Sequence, residues 1–320
     1  MQTRTYKDLF RLITSMIGTG GELPGSGTED TQVADFINRR FQQAFDQSPI
    51  WPRYFVSSEE RTLVLYELSG ATSGTSTAVN GNYKFFGINS GNAEGGGGAI
   101  AKADTNIYQN TDSTTTFIYK NSSNAWVVAT SISPTDTRSS DGKISLNSSG
   151  TVQFTEADTT KNDAVEDVTT WTPRAGSNLL SVVKKYIVPY AEGGILTSDS
   201  AKTTIGDFNR IHRKRAFVNN SAIEYEFFVD FDGANILNIS NTNDTSAFVS
   251  YKKQFTPFTV TTDYYNSTVE VPGEFFNFIA HAVYADFLRV QNRQQEAIAE
   301  EQVAQTYLAL ELEKIDIRSN

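Results

Sequence analysis

The chain has 320 residues, 37 of them acidic and 27 basic, for a formal net charge of −10. It carries two histidines and no cysteine, which excludes disulfide frameworks, thiolate nucleophiles and thiolate metal sites. This acidity argues against a general nucleic-acid binder, and no apolar run approaches the ~18 residues of a membrane span.

Apolar residues make up 38% and charged residues 20%, with Ser, Thr, Asn, Gln and Gly supplying the remaining polarity. Such a composition suits surface-rich β structure and loops, and the length suits about two domains at roughly 150 residues each. The opening MQTRTYKDLFRLITSMIG has charges inside its apolar stretch and no small-residue cleavage site, so it does not read as a secretory signal.

Thr5 and Asp8 have capping-box spacing, and Tyr6, Leu9, Phe10, Ile13 and Ile17 then fall on one helical face. A glycine-rich connector, Gly18 to Gly27, separates this helix from a second that starts at Thr28 or Asp30. That helix carries Val33, Phe36, Ile37, Phe41, Ala44 and Phe45, and it ends before Ser48-Pro49 and Trp51-Pro52. Strand-forming runs follow at Arg53–Leu68. From Ser69 to about Thr172 the composition shifts to Gly, Ser, Thr, Asn and Asp, including Gly95 to Gly98. Short apolar runs still recur there at intervals, with Asn80-Gly81 and Asp141-Gly142 as tight-turn signals. Longer β-rich runs occupy Leu179–Tyr190, Arg215–Phe231, Ala234–Ser240, Ala247–Phe255 and Phe258–Tyr265. Pro272-Gly273-Glu274 opens a third helix with Phe276, Ile279, Val283, Phe287 and Val290 near heptad spacing, and a fourth helical run follows. Residues 271–320 hold eight acidic against four basic side chains.

The expected fold class is therefore α+β: a helical bundle from the N- and C-terminal helices plus a β-sheet unit, with an inserted all-β domain. The expected division is residues 1–68 with 173–320 as one discontinuous unit, and 69–172 as the insertion.

Chemistry is hard to find. No phosphate loop and no G-x-S-x-G elbow is present, and GTGGELPG follows a helix where a dinucleotide site needs a strand. His281 sits among apolar helix neighbours and reads as a packed or interfacial side chain. His212 lies in RIHRKR, where cations disfavour both a protonated imidazole and a metal. Asp230 to Asn235 superficially resembles the start of a calcium loop but lacks its distal glutamate, so Asp232-Gly233 reads better as a hairpin turn. Glu59-Glu60 and Glu300-Glu301 are carboxylate pairs of the type a glycosidase uses, though sequence spacing does not give their separation. Asn-x-Ser/Thr sequons at Asn121, Asn147 and Asn266 follow from the composition. No enzyme, cofactor or metal is expected.

Two features stand apart. Arg210, Arg213, Lys214 and Arg215 form a cationic run, expected on a loop, that suits phosphate, an acidic partner or solvent. Tyr83, Phe85, Phe86, Tyr108, Phe117, Tyr119 and Trp126 either line a carbohydrate-binding face or form the core of a small β domain.

The succession EYEFFVDFDGANILNIS, SAFVSYKKQF and VPGEFFNFIAHAVYADFLRVQNRQQEAIAEEQVAQTYLALELEKI resembles the head-to-tail adaptor (connector) proteins of tailed bacteriophages, with Ala280, Ala282 and Ala285 at the small-residue helix centre. TYKDLFRLITSMIG and TQVADFINRRFQQAFDQSPIWP resemble the opening helices of adaptors from short-tailed phages. Together these segments cover roughly half the chain, and the Gly/Ser-rich insertion departs from the compact adaptors. The resemblance implies a structural virion protein at the head–tail junction, present in host cytoplasm during assembly. It would form a ring, expected to be twelve-fold, beneath a portal protein and above a tail nozzle or tail tube, passing DNA without reading it. Carried over to this sequence, Tyr307 to Asn320 becomes the portal-docking tail, anchored by Tyr307, Leu308, Leu310, Leu312 and Ile315. Arg210, Arg213, Lys214 and Arg215 become candidates for a subunit interface or the DNA channel. The insertion becomes a dock for tail fibres, or a glycan or receptor reader, with Tyr119 and Trp126 as candidates. A cell-wall hydrolase using carboxylates is a further alternative.

Overall fold

A computed structural model describes residues 4–18, 27–72, 77–91, 102–134, 138–146, 150–176, 179–196, 198–215, 223–239, 243–260 and 264–319, with only the backbone described at 27–29 and 316–319. Gly95 to Gly98, the Asn147 sequon and most of the Gly18–Gly27 connector lie outside these residues. The chain begins with β1 (Arg4–Thr5), α1 (Tyr6–Ile17) and α2 (Gly27–Asp46). There follow β2 (Phe55–Thr62), β3 (Val64–Ser69), β4 (Gly81–Ile88), β5 (Asn106–Asn110), β6 (Phe117–Lys120), β7 (Trp126–Thr130) and β8 (Thr151–Glu156). Next come β9 (Trp171–Pro173), β10 (Ser181–Pro189), β11 (Ile205–His212), β12 (Phe227–Val229), β13 (Gly233–Ile236) and β14 (Ser246–Lys253). The chain ends with β15 (Glu270–Val271), α3 (Gly273–Val290) and α4 (Gln294–Ser319). This is a mixed α+β fold, as the sequence predicts.

The chain divides into two compact units, residues 1–55 with 252–320 and residues 56–251. The expected boundaries at 68/69 and 172/173 fall elsewhere for a reason of strand pairing. β3 and β10, which flank the Gly/Ser/Thr/Asn-rich segment, pair with each other, and β3 also pairs with β4 inside that segment. One ten-stranded antiparallel sheet, ordered β12-β13-β10-β3-β4-β5-β6-β7-β8-β9, thus runs through both boundaries. A three-stranded sheet, β11-β14-β2, completes the β structure of this unit.

The helical unit is built as its patterning dictates. Thr5 caps α1, its hydroxyl accepting from the Asp8 amide while the Asp8 carboxylate accepts from the Thr5 amide, and Tyr6, Leu9, Phe10 and Ile13 are buried. The last carbonyls of α2 are satisfied from outside: Trp51 Nε1 donates to Ala44 and Phe45, and Lys252 Nζ donates to Phe45 at 2.7 Å. Aromatic rings dominate the core, with Phe41 stacked on Phe258 at 4.6 Å and Trp51 edge-on to Phe275 at 4.7 Å. α3 is buried nearly all round, and Ala280, Ala282 and Ala285 let its neighbours approach closely.

The β unit buries both faces of its large sheet. Ile118, Trp126 and Val128 belong to one core cluster, whereas Phe117, Tyr119, Val127 and Ala129 belong to another. Adjacent residues on a strand point to opposite faces, so these runs are apolar throughout where a one-sided sheet would alternate. Lys143–Leu146, one of the short apolar runs of the Gly/Ser/Thr/Asn-rich segment, contributes only isolated bridges from Ile144 and Leu146, and the described part of Phe258–Tyr265 forms no strand. Asp232-Gly233 turns the β12–β13 hairpin, as expected from the sequence, with the Asp230 amide donating to the Gly233 carbonyl at 3.0 Å. Gly233 has φ +139°, and a Cβ there would lie 2.1 Å from the Val188 carbonyl oxygen. Gly233→Ala is therefore expected to destabilise the β unit by more than about 1 kcal/mol, read as a lower urea midpoint; an unchanged midpoint would contradict the register described.

Candidate functional site

Three features of the structure bear on function, and each is built from local constraints. The first is ionic. Arg40, on α2, is buried, and a guanidinium removed from water needs charge partners with good geometry. Its Nε and Nη2 donate to Asp286 at 2.8 and 2.6 Å, a bidentate grip on α3. Its Nη1 and Nη2 also donate to Glu301 on α4 at 3.0 and 2.8 Å. Arg39 adds a bond to Asp286 at 2.7 Å, and Arg289 reaches both Asp286 and Glu301 at 2.8 and 3.1 Å. Burial pushes the Asp286 carboxyl up, but hydrogen bonds from Arg40 and Arg39 outweigh it and hold the carboxyl below its ordinary value. Glu301 behaves alike: burial opposes ionisation, while bonds from Gln305, Arg40 and Arg289 together lower its pKa.

This cluster fixes the rotation of α4. Ala297, Ala304, Leu308 and Ile315 turn inward, spaced seven, four and seven residues apart along one face. Of the expected docking residues, Leu308 and Ile315 are therefore core side chains, and Leu312 packs partly against the same core. Only Tyr307 and Leu310 are exposed, at 37% and 49%, joined one turn earlier by Val303 at 39%. The Tyr307 ring also stacks on His281 at 5.3 Å, and His281 Nδ1 lies 2.8 Å from Glu300.

The second feature is the cationic run. Arg210 lies exposed on strand β11, where a loop was expected. The four cations do not act together. Arg213 pairs with Asp244 at 2.9 Å, and the Arg215 guanidinium lies over the Phe248 ring at 5.7 Å, while Arg210 and Lys214 are exposed. His212 is buried, and its Nδ1 has no hydrogen-bond partner among the described residues.

The third feature is a cleft of about 410 Å³ in the β unit, lined by Tyr66, Tyr108, Trp126, Lys102, Lys120 and Lys184 with acidic and amide side chains at its edge. The β6–β7 register places Lys120 directly opposite Trp126, so both side chains leave the sheet on one face and the ammonium lies 5.2 Å from the indole ring centre. Tyr119, one residue before, is buried on the other face. Tyr119 and Trp126 therefore cannot form one aromatic platform, and both are almost wholly buried. Only Trp126 borders the cleft, and its Nε1 donates to the Asn162 carbonyl at 3.1 Å. A wider cleft of about 870 Å³ holds Lys84, whose pKa burial lowers against the opposing pull of Glu192.

The carboxylate pairs of the sequence are occupied in structural bonds. Glu59 accepts from Tyr251 at 2.8 Å and pairs with Arg61 at 2.7 Å, and Glu60 accepts from Ser246 at 2.7 Å. Sequence reasoning overlooked Arg40, Asp286, Lys102, Lys120 and Lys184, and named Glu301 only as half of a carboxylate pair. A signal existed for Lys120: the Asn121–Ala125 turn between two apolar runs implies a hairpin that sets it against Trp126.

Compared with known proteins, the chain matches no family model, no curated protein and no solved structure.

Asp286→Asn is expected to cost about 3 kcal/mol at pH 7, as for a broken buried pair. Because the Asp286 pKa is depressed on folding, its contribution is complete above the ordinary carboxylate range and is lost as pH falls through the folded value. The gap between parent and variant in urea midpoint should accordingly close below about pH 4. A gap that stays constant down to pH 2 would contradict the charge assignment.

Proposed function

We propose that this chain is a structural subunit, without enzymatic activity, of a ring that joins the portal to the tail in a short-tailed bacteriophage and continues the DNA channel. The observation that carries this reading is the double-sided α4. One face is locked into the chain by the ionic cluster and by Ala304, Leu308 and Ile315. A second row, Val303, Tyr307 and Leu310, stays apolar and exposed near the end of the chain. A helix with one side spoken for and another apolar side exposed suits helix–helix contact with another protein. The sequence pattern of the terminal segments supports the same reading, and so does the net charge of −10, since a conduit for DNA gains nothing from a basic wall.

In this reading Tyr307 and Leu310, with Val303, are the portal-facing side chains, and Leu308, Leu312 and Ile315 hold the helix that presents them. Arg210 and Lys214, exposed on the β unit, remain for a neighbouring subunit or the channel. Head-to-tail contacts of this kind close into a ring when the rotation per subunit allows it.

Deleting residues 307–320 would be a poor test, because it also removes core side chains. The joint change Val303→Ser, Tyr307→Ser and Leu310→Ser touches exposed positions; Val303 and Leu310 are each expected within about 0.5 kcal/mol of neutral, and Tyr307 gives up only its stacking on His281. Its far-ultraviolet circular dichroism should match the parent, while co-sedimentation with the portal ring of the same phage should be lost. Undiminished co-sedimentation would sink the docking assignment.

A further inference from the structure

Independently of any role in a ring, we infer that the 410 Å³ cleft of the β unit is a binding site for a carboxylated sugar, with Lys120 and Lys102 receiving the carboxylate. The argument starts from charge. Lys120 is nine-tenths buried, and a buried ammonium is costly unless a counter-charge meets it closely. Its nearest carboxylate, Asp163, stands 3.6 Å away on a side chain that is itself fully exposed. Lys102 is its neighbour, its backbone amide donating to the Lys120 carbonyl at 2.8 Å. The Lys102 ammonium donates to the neutral Asn124 side chain at 2.6 Å.

The other acids nearby are already matched. Asp104 pairs with Lys143 at 2.8 Å, and Asp244 with Arg213 at 2.9 Å. Glu166 is bound to Lys184 and accepts from the Tyr66 hydroxyl at 2.7 Å. Glu156, behind Trp126, accepts three N–H bonds at 2.8 to 2.9 Å. Two ammonium groups thus face the cleft, Lys120 from β6 and Lys102 from the segment before β5, with only the fully exposed Asp163, 3.6 Å from Lys120, to balance them, so a bound anion would complete the site.

The rest of the cleft indicates what bears that anion. Its volume falls within the roughly 300–1,000 Å³ of small-molecule sites. Its floor is aromatic, with Tyr66 edge-on to Tyr108 at 4.8 Å and Tyr108 tilted against Trp126 at 6.1 Å. Asn106, Asn243 and Thr245 add neutral polar groups at the rim, the combination that hydroxyls over an apolar ring require. No arginine, the side chain that favours phosphate through its bidentate fork, is among its lining residues.

The test uses the full-length protein and calorimetric titration with trigalacturonate, 3′-sialyllactose, neutral lactose and inorganic phosphate. At least one carboxylated probe should bind, neither lactose nor phosphate should match it, and Lys120→Met should weaken it about tenfold or more. Because Lys120 is buried, Lys102→Gln at an exposed position serves as the second variant and should weaken binding several-fold with unfolding unchanged. Arg174→Gln, exposed elsewhere on the same unit, should bind as the parent does. Failure of both carboxylated probes to bind, equal binding of lactose or phosphate, or unchanged affinity in the Lys102 variant would overturn the inference.

Discussion

A guanidinium taken out of water must find carboxylates, and Arg40 finds one on each of the two helices that end the chain. The rest of the helical unit depends on that requirement. Asp286 and Glu301 cannot both reach Arg40 unless α3 and α4 lie at one depth and one rotation against α2. Apolar packing alone would tolerate sliding, because alanine and leucine faces offer many near-equivalent contacts. The ionic cluster removes that freedom, and with it the choice of which α4 side chains remain outside. The surface row of Val303, Tyr307 and Leu310 is thus set by charges on the opposite side of the helix. Such a cluster adds less to net stability than its short distances suggest, since taking Arg40 and Asp286 out of water offsets much of their attraction. Its effect is on specificity.

In the β unit the governing constraint is the period of two. A sheet covered on both faces converts neighbouring residues into members of different cores, as Tyr119 and Trp126 show. The same alternation brings Lys120 out beside Trp126, a cation among aromatic rings that no one-sided sheet would bury. The cleft lies where that face is left partly open.

Much of the helical unit was legible in the sequence because its signals are local. Thr5 with Asp8, the apolar rows of α1 and α2, and Pro272 before α3 depend on residues within one or two turns. The strands were legible as runs, but their partners were not. Nothing near Leu68 announces that it pairs with Val182, and that pairing moves the unit boundary. β5 and β11 were missed because NIYQN and IGDFNRIH carry polar residues and glycine at a density that reads as loop. The docking residues failed in part for a simpler reason: several apolar side chains on a terminal helix look alike until the neighbouring helix is placed. Leu308 and Leu310 differ by two positions, which is 200° of helix rotation, and only the packing says which is inside. The lysine cleft was illegible because strand order brings Lys120 and Lys184 together and a long-range backbone bond to Lys120 brings in Lys102.

The β unit begins on β2 and ends on β14, which are neighbours in one sheet, so the chain enters and leaves it side by side. This arrangement has a consequence for synthesis. α1 and α2 are made first, yet the helices that cover them, α3 and α4, follow the whole β unit. At the 5–20 residues per second of translation, the intervening ~200 residues take about 10–40 s. Throughout that time Phe10, Ile37 and Phe41 have no α3 to bury them, while the strands of the β unit emerge one after another. The nascent chain therefore carries its own period of stickiness at the amino terminus. Its length is set by the size of the β unit, and each residue added to that unit would prolong it.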